Sequence, residues 1–440
     1  MKCAMISSNL LARAGIPNRV VDAKLGVRAV VAGDETLVLG GACAEIATGP
    51  RLAALVRPGH EKEALALARL EKDEPTAPLS VHTSIGHPGA VVDVLRAIEP
   101  HVPASWTDDW RLSLQLDGAS AVRAACDLLL RQCDRFAPVA VGMESYHGPP
   151  SSSVGGVGVL DRALKPPQLS YPIPSPFRRR AGEADGDFNA RVFDEFRQFC
   201  KASSPQVVVF EPQWGSSLAA MPWPVELLRA CVAEARESGA KVLCDEVMCG
   251  MARHGLGRLF LSDAWRLDPD AISLGKALGA GVNPIAGVLV RHSDAPPLEI
   301  HTYAGASERA LMAAAATLDA LGDDAPLAAA ARRAGDWLAA AMEELQAASR
   351  GRLLCHGLGL MRGAIFAHRD AAQRARFGDV FRANCERRAV LPYHVPVGGF
   401  MITPPYDVDL GTLEEGLRRI GQALDDTYAT VRWDDAGLAT

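Results

Sequence analysis

The chain has no surplus of positive charge: 46 Lys and Arg stand against 52 Asp and Glu, a formal net charge of −6 over 440 residues. Nucleic-acid binding by counterion release needs a basic excess, so that partner class is not expected. No apolar run approaches the roughly 20 residues of a bilayer-spanning helix, so no membrane partner is expected either. The ten cysteines include no C-x-x-C pair, which points to scattered reduced thiols and away from a disulfide framework. The eleven histidines form no H-x-x-x-H or similar ligand pair, and no metal site is expected. A G-x-S-x-G elbow, a phosphate loop, a complete G-x-G-x-x-G and internal repeats are all missing. Ser273-Leu-Gly-Lys276 matches S-x-x-K, but no S-D-N or K-T-G accompanies it, and the match reads as coincidence.

What remains is ordinary globular usage, with 48% hydrophobic and 22% charged residues, which excludes disorder and collagen-like repeats. The length predicts two or three compact units. The opening MKCAMISSNLLARAG has a short apolar stretch, an early Arg13 and no convincing cleavage site, so it reads as mature sequence of a cytoplasmic protein.

Residues 26–41, with apolar runs around a Gly-Asp turn, predict a hairpin. From about Trp110 onward, LSLQL (112–116), PVAVGM (138–143), QVVVFEP (206–212), AKVLCDEV (240–247) and AISLG (271–275) alternate with helical patterns such as ASAVRAACDLLLRQC (119–133). Short, nearly continuous apolar strands between amphipathic helices predict an α/β fold with a mostly parallel, covered sheet. The Pro-, Gly- and Ser-rich segment 149–186 reads as a long loop over an active-site entrance or an interface. Its Arg178, Arg179, Arg180 run reads as a solvated loop. After Ser307 the chain turns helical and reads as a separate, smaller C-terminal domain over 308–440.

In an open parallel sheet, chemistry gathers at the carboxyl ends of the strands. Those ends carry Asp117-Gly118-Ala119-Ser120, Ser145-Tyr146-His147-Gly148, Glu211-Pro212, Asp245-Glu246-Val247 and Gly275-Lys276. Small residues opening a helix offer free N–H groups to a phosphate. With an aromatic, a carboxylate and a lysine, the set matches what pyridoxal phosphate requires. Lys276 would form a Schiff base with the cofactor and shuttle protons. Asp245 would pair with the pyridine nitrogen. Val247, two residues on and on the same side, would pack against one ring face and Tyr146 against the other. Gly118 and Ala119 would hold the phosphate. His147 would line the site or serve as a structural hydrogen-bonded histidine. Arg253 and Glu246 read as an internal ion pair or network.

These segments resemble the class III aminotransferases of the fold-type I pyridoxal phosphate enzymes. The resemblance covers most of the chain. It runs through SYHG (145–148), EPQWG (211–215), KVLCDEVMCGMARHGLGRLF (241–260), AISLGKALGAGVNPIAGVLV (271–290), HTYAGAS (301–307) and GLGLMRGAIF (357–366). It implies a large cofactor-binding domain (81–307) with a mostly parallel seven-stranded-type sheet. A smaller α+β domain would come from residues 1–80 and 308–440. It implies a homodimer in which Thr302 reaches the phosphate of the neighbouring active site, and a small-molecule amine or amino-acid substrate.

Three positions depart from the family pattern. Met248 stands where a glutamine is usual, Ser120 where a glutamate is usual, and Met401 before Pro404-Pro405 where an arginine commonly binds a carboxylate. Methionine cannot form the two charge-assisted bonds of a guanidinium, and Glu211 would lose its arginine partner. Arg362 and Arg387–Arg388 are possible substitutes, with a solvent-facing position the favoured reading for each. The expected reaction is therefore amino transfer between an amine or amino acid and a carbonyl compound, outside the usual glutamate/2-oxoglutarate pair. A lyase, racemase, aminomutase or decarboxylase on the same scaffold is the alternative. A catalytically silent scaffold is a third reading, disfavoured by intact Lys276 and Asp245.

Overall fold

A computed structural model describes residues 18–21, 29–32, 37–39, 90–106, 110–131, 133, 139–148, 169–280, 284–291, 308–322 and 325–433. The strands are β1 (Asn18–Val21), β2 (Ala29–Ala32), β3 (Leu37–Val38), β4 (Trp110–Gln115), β5 (Val139–Gly142), β6 (Leu169–Tyr171), β7 (Val207–Phe210), β8 (Lys241–Asp245), β9 (Ala271–Leu274) and β10 (Ala286–Arg291), followed by β11 (Leu353–Leu358), β12 (Met361–Phe366), β13 (Val390–Leu391), β14 (Tyr393–Val395) and β15 (Gly399–Ile402). The main helices are α1 (Ala90–Ile98), α2 (Gly118–Leu130), α3 (Asp185–Ser203), α4 (Val225–Glu237), α5 (Glu308–Ala320), α6 (Pro326–Ala348), α7 (Ala371–Arg387) and α8 (Leu410–Thr430).

Seven strands form one sheet in the order β4-β10-β9-β8-β7-β5-β6. Pairing is parallel from β6 through β9, whereas β10 runs antiparallel to both of its neighbours. The period-2 alternation of side chains divides the central strands between two faces. Val139, Val141, Val207, Val209, Leu243 and Ala271 pack with Ala121, Val122 and Leu129 of α2. Ala140, Val208, Phe210, Val242 and Cys244 pack with Phe188, Val192 and Phe196 of α3 and Leu227, Leu228 and Cys231 of α4. Both faces are covered, which is why these strands read as unbroken apolar runs.

A second, antiparallel sheet has the order β11-β12-β15-β14, with α6, α7 and α8 packed around it in one apolar core. It approaches the larger sheet through the loop after β7. Gln213 Nε2 donates to Ala220 O and to Met361 O, both at 2.8 Å, and His356 Nε2 donates to Leu218 O at 3.1 Å. Gly363 of β12 lies directly over the Ala219 carbonyl, so a Cβ added there would overlap that oxygen. Backbone on both sides leaves no flexible group to yield. Gly363→Ala is therefore expected to cost about 3 kcal/mol in denaturant unfolding, and a loss under roughly 0.5 kcal/mol would contradict this packing.

Three local expectations need correction. Among the described residues of the expected 26–41 hairpin, β2 and β3 do not pair with each other: β2 pairs antiparallel with β1, and β3 pairs in parallel with β13. Alternation marks a strand but does not choose its partner, and here the partner of Leu37 is Val390, far along the chain. The 149–186 segment is not one long loop. Leu169–Tyr171 is the edge strand of the large sheet, and the following 172–175 stretch is buried. Residues 149–168 lie outside the described residues. Arg178 and Arg179 are also not simply solvated: Arg178 pairs with Glu195 and donates to Ile173 O, and Arg179 pairs with Asp185 and lies over the Phe188 ring.

Candidate active site

Strand parity brings the polar residues together. Leu243 faces α2, so Asp245, two residues on, faces α2 as well, and its partner across the β8–β9 ladder is Ser273. The Asp245 carboxylate is 6% exposed, yet three donors satisfy it: His147 Nδ1 meets Oδ2 at 2.7 Å, while Ser273 Oγ (2.9 Å) and Val247 N (3.1 Å) donate to Oδ1. Burial pushes this carboxyl up, but the hydrogen bond and charge of His147 outweigh it and hold Asp245 below the ordinary carboxylate range. Burial would lower His147 in turn, and Asp245, with Glu211 nearby, raises it above the ordinary imidazole value. The two form a buried ion pair. His147 Nε2 has no protein partner.

Val247 continues the same side and packs over the start of α2. A Cβ added at Gly118 would overlap Val247 Cγ1, and one at Gly275 would lie 3.3 Å from Cγ1 and 3.6 Å from Gly118 Cα. Glycine at both places lets three strand ends converge on Val247. Lys276 follows Gly275 directly, half-buried, and opens a single 3₁₀ turn (Lys276–Gly279). Its φ of +38° lies in the left-handed region, an unfavourable place for a residue with a Cβ.

At the start of α2 the Asp117 side chain accepts the Ser120 N–H at 2.8 Å. The N–H groups of Gly118 and Ala119 fall in the first turn, which the helix itself cannot satisfy. Tyr146 is 40% exposed, which excludes a core role. Burial, followed by the neighbouring Tyr393 and Asp117, raises its phenol. Its N–H donates to Glu211 Oε1 at 3.1 Å, and Gly215 N donates to Glu211 Oε2 at 3.2 Å. Burial raises Glu211 above the ordinary carboxylate value, with the charge of His147 opposing and that of Asp245 adding.

The structure thus gathers Gly118, Ala119, Tyr146, His147, Glu211, Asp245, Val247 and Lys276 at one end of the sheet. Thr302 lies outside the described residues. Ser273, Gly275 and Asp117 were not singled out by their roles here. Only the register between β8 and β9 shows that Ser273 faces Asp245, and that pairing is not written in either segment.

Other expectations change. Glu246 and Arg253 do not pair. Glu246 accepts the N–H groups of Leu261 (2.6 Å) and Ser262 (2.8 Å), and burial pushes it up to about 7. Arg253 donates to Leu360 O and Pro404 O and stacks on Tyr406. The proposed arginine substitutes are engaged elsewhere: Arg362 donates to Gly359 O, Arg387 to Asn384, and Arg388 to Asp426 and Gln422. Met401 is wholly buried in an apolar cluster with Cys249, Met361 and Ile365, against which Met248 and Tyr393 pack. Among the described residues, no group of three His, Cys, Asp or Glu side chains could hold a metal ion, and no helix is long and apolar enough to cross a membrane.

A buried carboxylate kept charged, an adjacent lysine, an accessible aromatic ring and free helix N–H groups fit a flat, phosphorylated heterocycle with a basic ring nitrogen. Comparison with known proteins agrees. The class-III aminotransferase family model matches residues 87–424. Gamma aminobutyrate transaminase 3, chloroplastic, of Solanum lycopersicum is 25% identical over 309 residues, covering 64% of this chain and 58% of the relative. The chain therefore spans under two thirds of that relative's length. Two solved structures share the fold. A transaminase with L-ala has a TM-score of 0.73 at 21% identity, covering 88% of this chain and 93% of the other. The omega transaminase from Pseudomonas jessenii in complex with PMP has a TM-score of 0.71 at 18% identity, covering 84% and 86%. With more than three quarters of its length matched by the family model, the chain belongs to the class-III aminotransferases.

Proposed function

We propose that this protein is a pyridoxal-phosphate-dependent aminotransferase that moves an amino group between an amine or amino acid and a carbonyl acceptor, outside the usual glutamate/2-oxoglutarate pair. The observation that carries this reading is the Asp245–His147 ion pair at 2.7 Å, on the strand beside the one that leads into Lys276. Keeping a carboxylate charged in a buried place is costly, and a basic ring nitrogen gives that charge a use.

Bound at this site, the cofactor supplies an aldehyde and a ring that draws electrons from the substrate carbon. The chain's own residues do the rest. Lys276 Nζ would hold the cofactor and, once the substrate amine has displaced it, would take a proton from the substrate carbon and return it. Asp245, kept ionised, would hold a proton on the ring nitrogen, with its orientation fixed by His147 and Ser273. Val247 and Tyr146 would bracket the ring, and the Gly118 and Ala119 N–H groups would meet the phosphate. In this reading residues 81–307 bind the cofactor, and 1–80 with 308–440 form the smaller domain. The pairing of Leu37 with Val390 supports that union of the two ends. The active form is a homodimer in which Thr302 reaches the neighbouring site. The mostly buried thiols among the described residues support a cytoplasmic location.

Asp117 works against the phosphate, because its carboxylate already occupies one N–H of the helix start. Asp117→Ser keeps a capping oxygen and removes the charge. It is expected to tighten the cofactor dissociation constant about fivefold. An unchanged or weaker constant in a spectroscopic titration would place the phosphate elsewhere.

The reaction is tested by adding donors to the loaded enzyme and following its absorption. Alanine or a simple amine should convert the cofactor to its aminated form, and a keto acid should reverse the change. Glutamate should be at least about tenfold less efficient, because Met401 offers its second carboxylate no charge and Arg362, Arg387 and Arg388 are engaged elsewhere. Product without net amino transfer would favour a lyase or racemase, and efficient glutamate turnover would overturn the substrate assignment.

A further inference from the structure

Glu211 stands out as a buried carboxyl with no opposite charge in contact among the described residues. It is 6% exposed, and its recorded hydrogen-bond donors are the backbone N–H groups of Tyr146 and Gly215. His147 is the cation nearby, and its Nδ1 is already committed to Asp245. Asp245, His147 and Glu211 together carry one excess negative charge when all three are ionised. A carboxylate offers about four acceptor positions, and donors among the described residues fill two of them.

On the side of Gly215 the neighbourhood of Glu211 is apolar and soft. A Cβ added at Gly215 would lie 2.8 Å from Met248 Sδ and 3.8 Å from Glu211 Oε2, so the thioether and the carboxylate flank the same glycine. Met248 packs against the cluster that holds Met401 and Met361, which extends this wall away from the carboxylate. An acceptor at the edge of a flexible methionine surface suits an ammonium group carried on a methylene chain. A distal carboxylate would meet repulsion at the same place, and a plain alkyl end would leave the charge buried and uncompensated.

We infer that Glu211 receives the second ammonium group of a diamine whose other amine reacts beside Lys276; this rests on the aminotransferase reading above. The test compares diaminobutane, butylamine and γ-aminobutyrate on the holoenzyme, by kcat/KM and by calorimetric binding. The diamine should exceed butylamine about tenfold or more, as one charge-assisted hydrogen bond would give, with γ-aminobutyrate the poorest. In Glu211→Gln the ratio of diamine to butylamine should fall to near one. Equal use of the two amines by the wild type, or a ratio that survives in the variant, would overturn the inference. The wild-type order decides the matter even where the variant does not fold. Should none of the amines convert the cofactor, the aminotransferase reading fails, and the calorimetric ratio still decides the role of Glu211: tighter diamine binding upholds it, and equal binding removes it.

Discussion

Lys276→Ala is expected to abolish the absorption band of the lysine-bound cofactor and to lower kcat by about a thousandfold or more. The expectation rests on position. Among the described residues the other lysines are Lys201 on α3 and Lys241 at the amino end of β8, the end opposite Asp245. Neither can substitute at the carboxyl ends of the strands. The variant should remain folded, because Lys276 is half-buried and its φ of +38° already disfavours any residue with a Cβ. Lys276→Gly relieves that conformation and should be as stable as the alanine variant or more so, by up to about 1 kcal/mol. A band that persists in both variants, with near-normal turnover, would mean that another amine carries the cofactor.

Asp245→Asn is expected to reduce kcat by roughly a hundred- to a thousandfold while the fold is kept, since the amide has the same shape. Two charges disappear with this change. The carboxylate proposed to keep the ring nitrogen protonated is gone, and His147 loses the bond and charge that do most to raise it, so burial lowers the imidazole. Stability should change with pH accordingly. Asp245 is lowered from 3.8, so its contribution is present above that pH and lost as pH falls through its folded value. His147 is raised from 6.5, so its contribution is complete below that pH and lost as pH rises through its folded value. The pair therefore stabilises the wild type fully between pH 3.8 and 6.5, and this part of the profile should be flat in Asp245→Asn. Full activity in the asparagine variant, or an unchanged stability profile, would show that the pair is not what holds the site.

Much of this was legible before the fold was known, for identifiable reasons. The strands of the large sheet are buried on both faces and so appear as short apolar runs. Their carboxyl ends stand out because polar residues such as Asp245 and Glu211 end those runs. Relations between strands were not legible. Ser273 meets Asp245 only through the β8–β9 register, and β3 joins β13 across most of the chain. Charge pairing was misread for a similar reason. Glu246 and Arg253 look like partners in sequence, but each finds backbone groups brought in by another segment: Leu261 and Ser262 for the acid, Leu360 and Pro404 for the base. The arginines considered for Glu211 were likewise claimed by acids, amides and carbonyls near their own elements. Met401 differs in kind: its chemistry could be read from the sequence, whereas its burial beside Met361 and Met248 needed the second sheet.

The account depends most on where the cofactor is attached. Reduction of the loaded enzyme with borohydride, followed by peptide mass mapping, locates that bond in one experiment. The expected result is a pyridoxyl adduct on the peptide containing Lys276 and on no other. An adduct on a different lysine, or none after saturation with pyridoxal phosphate, would contradict the site described here.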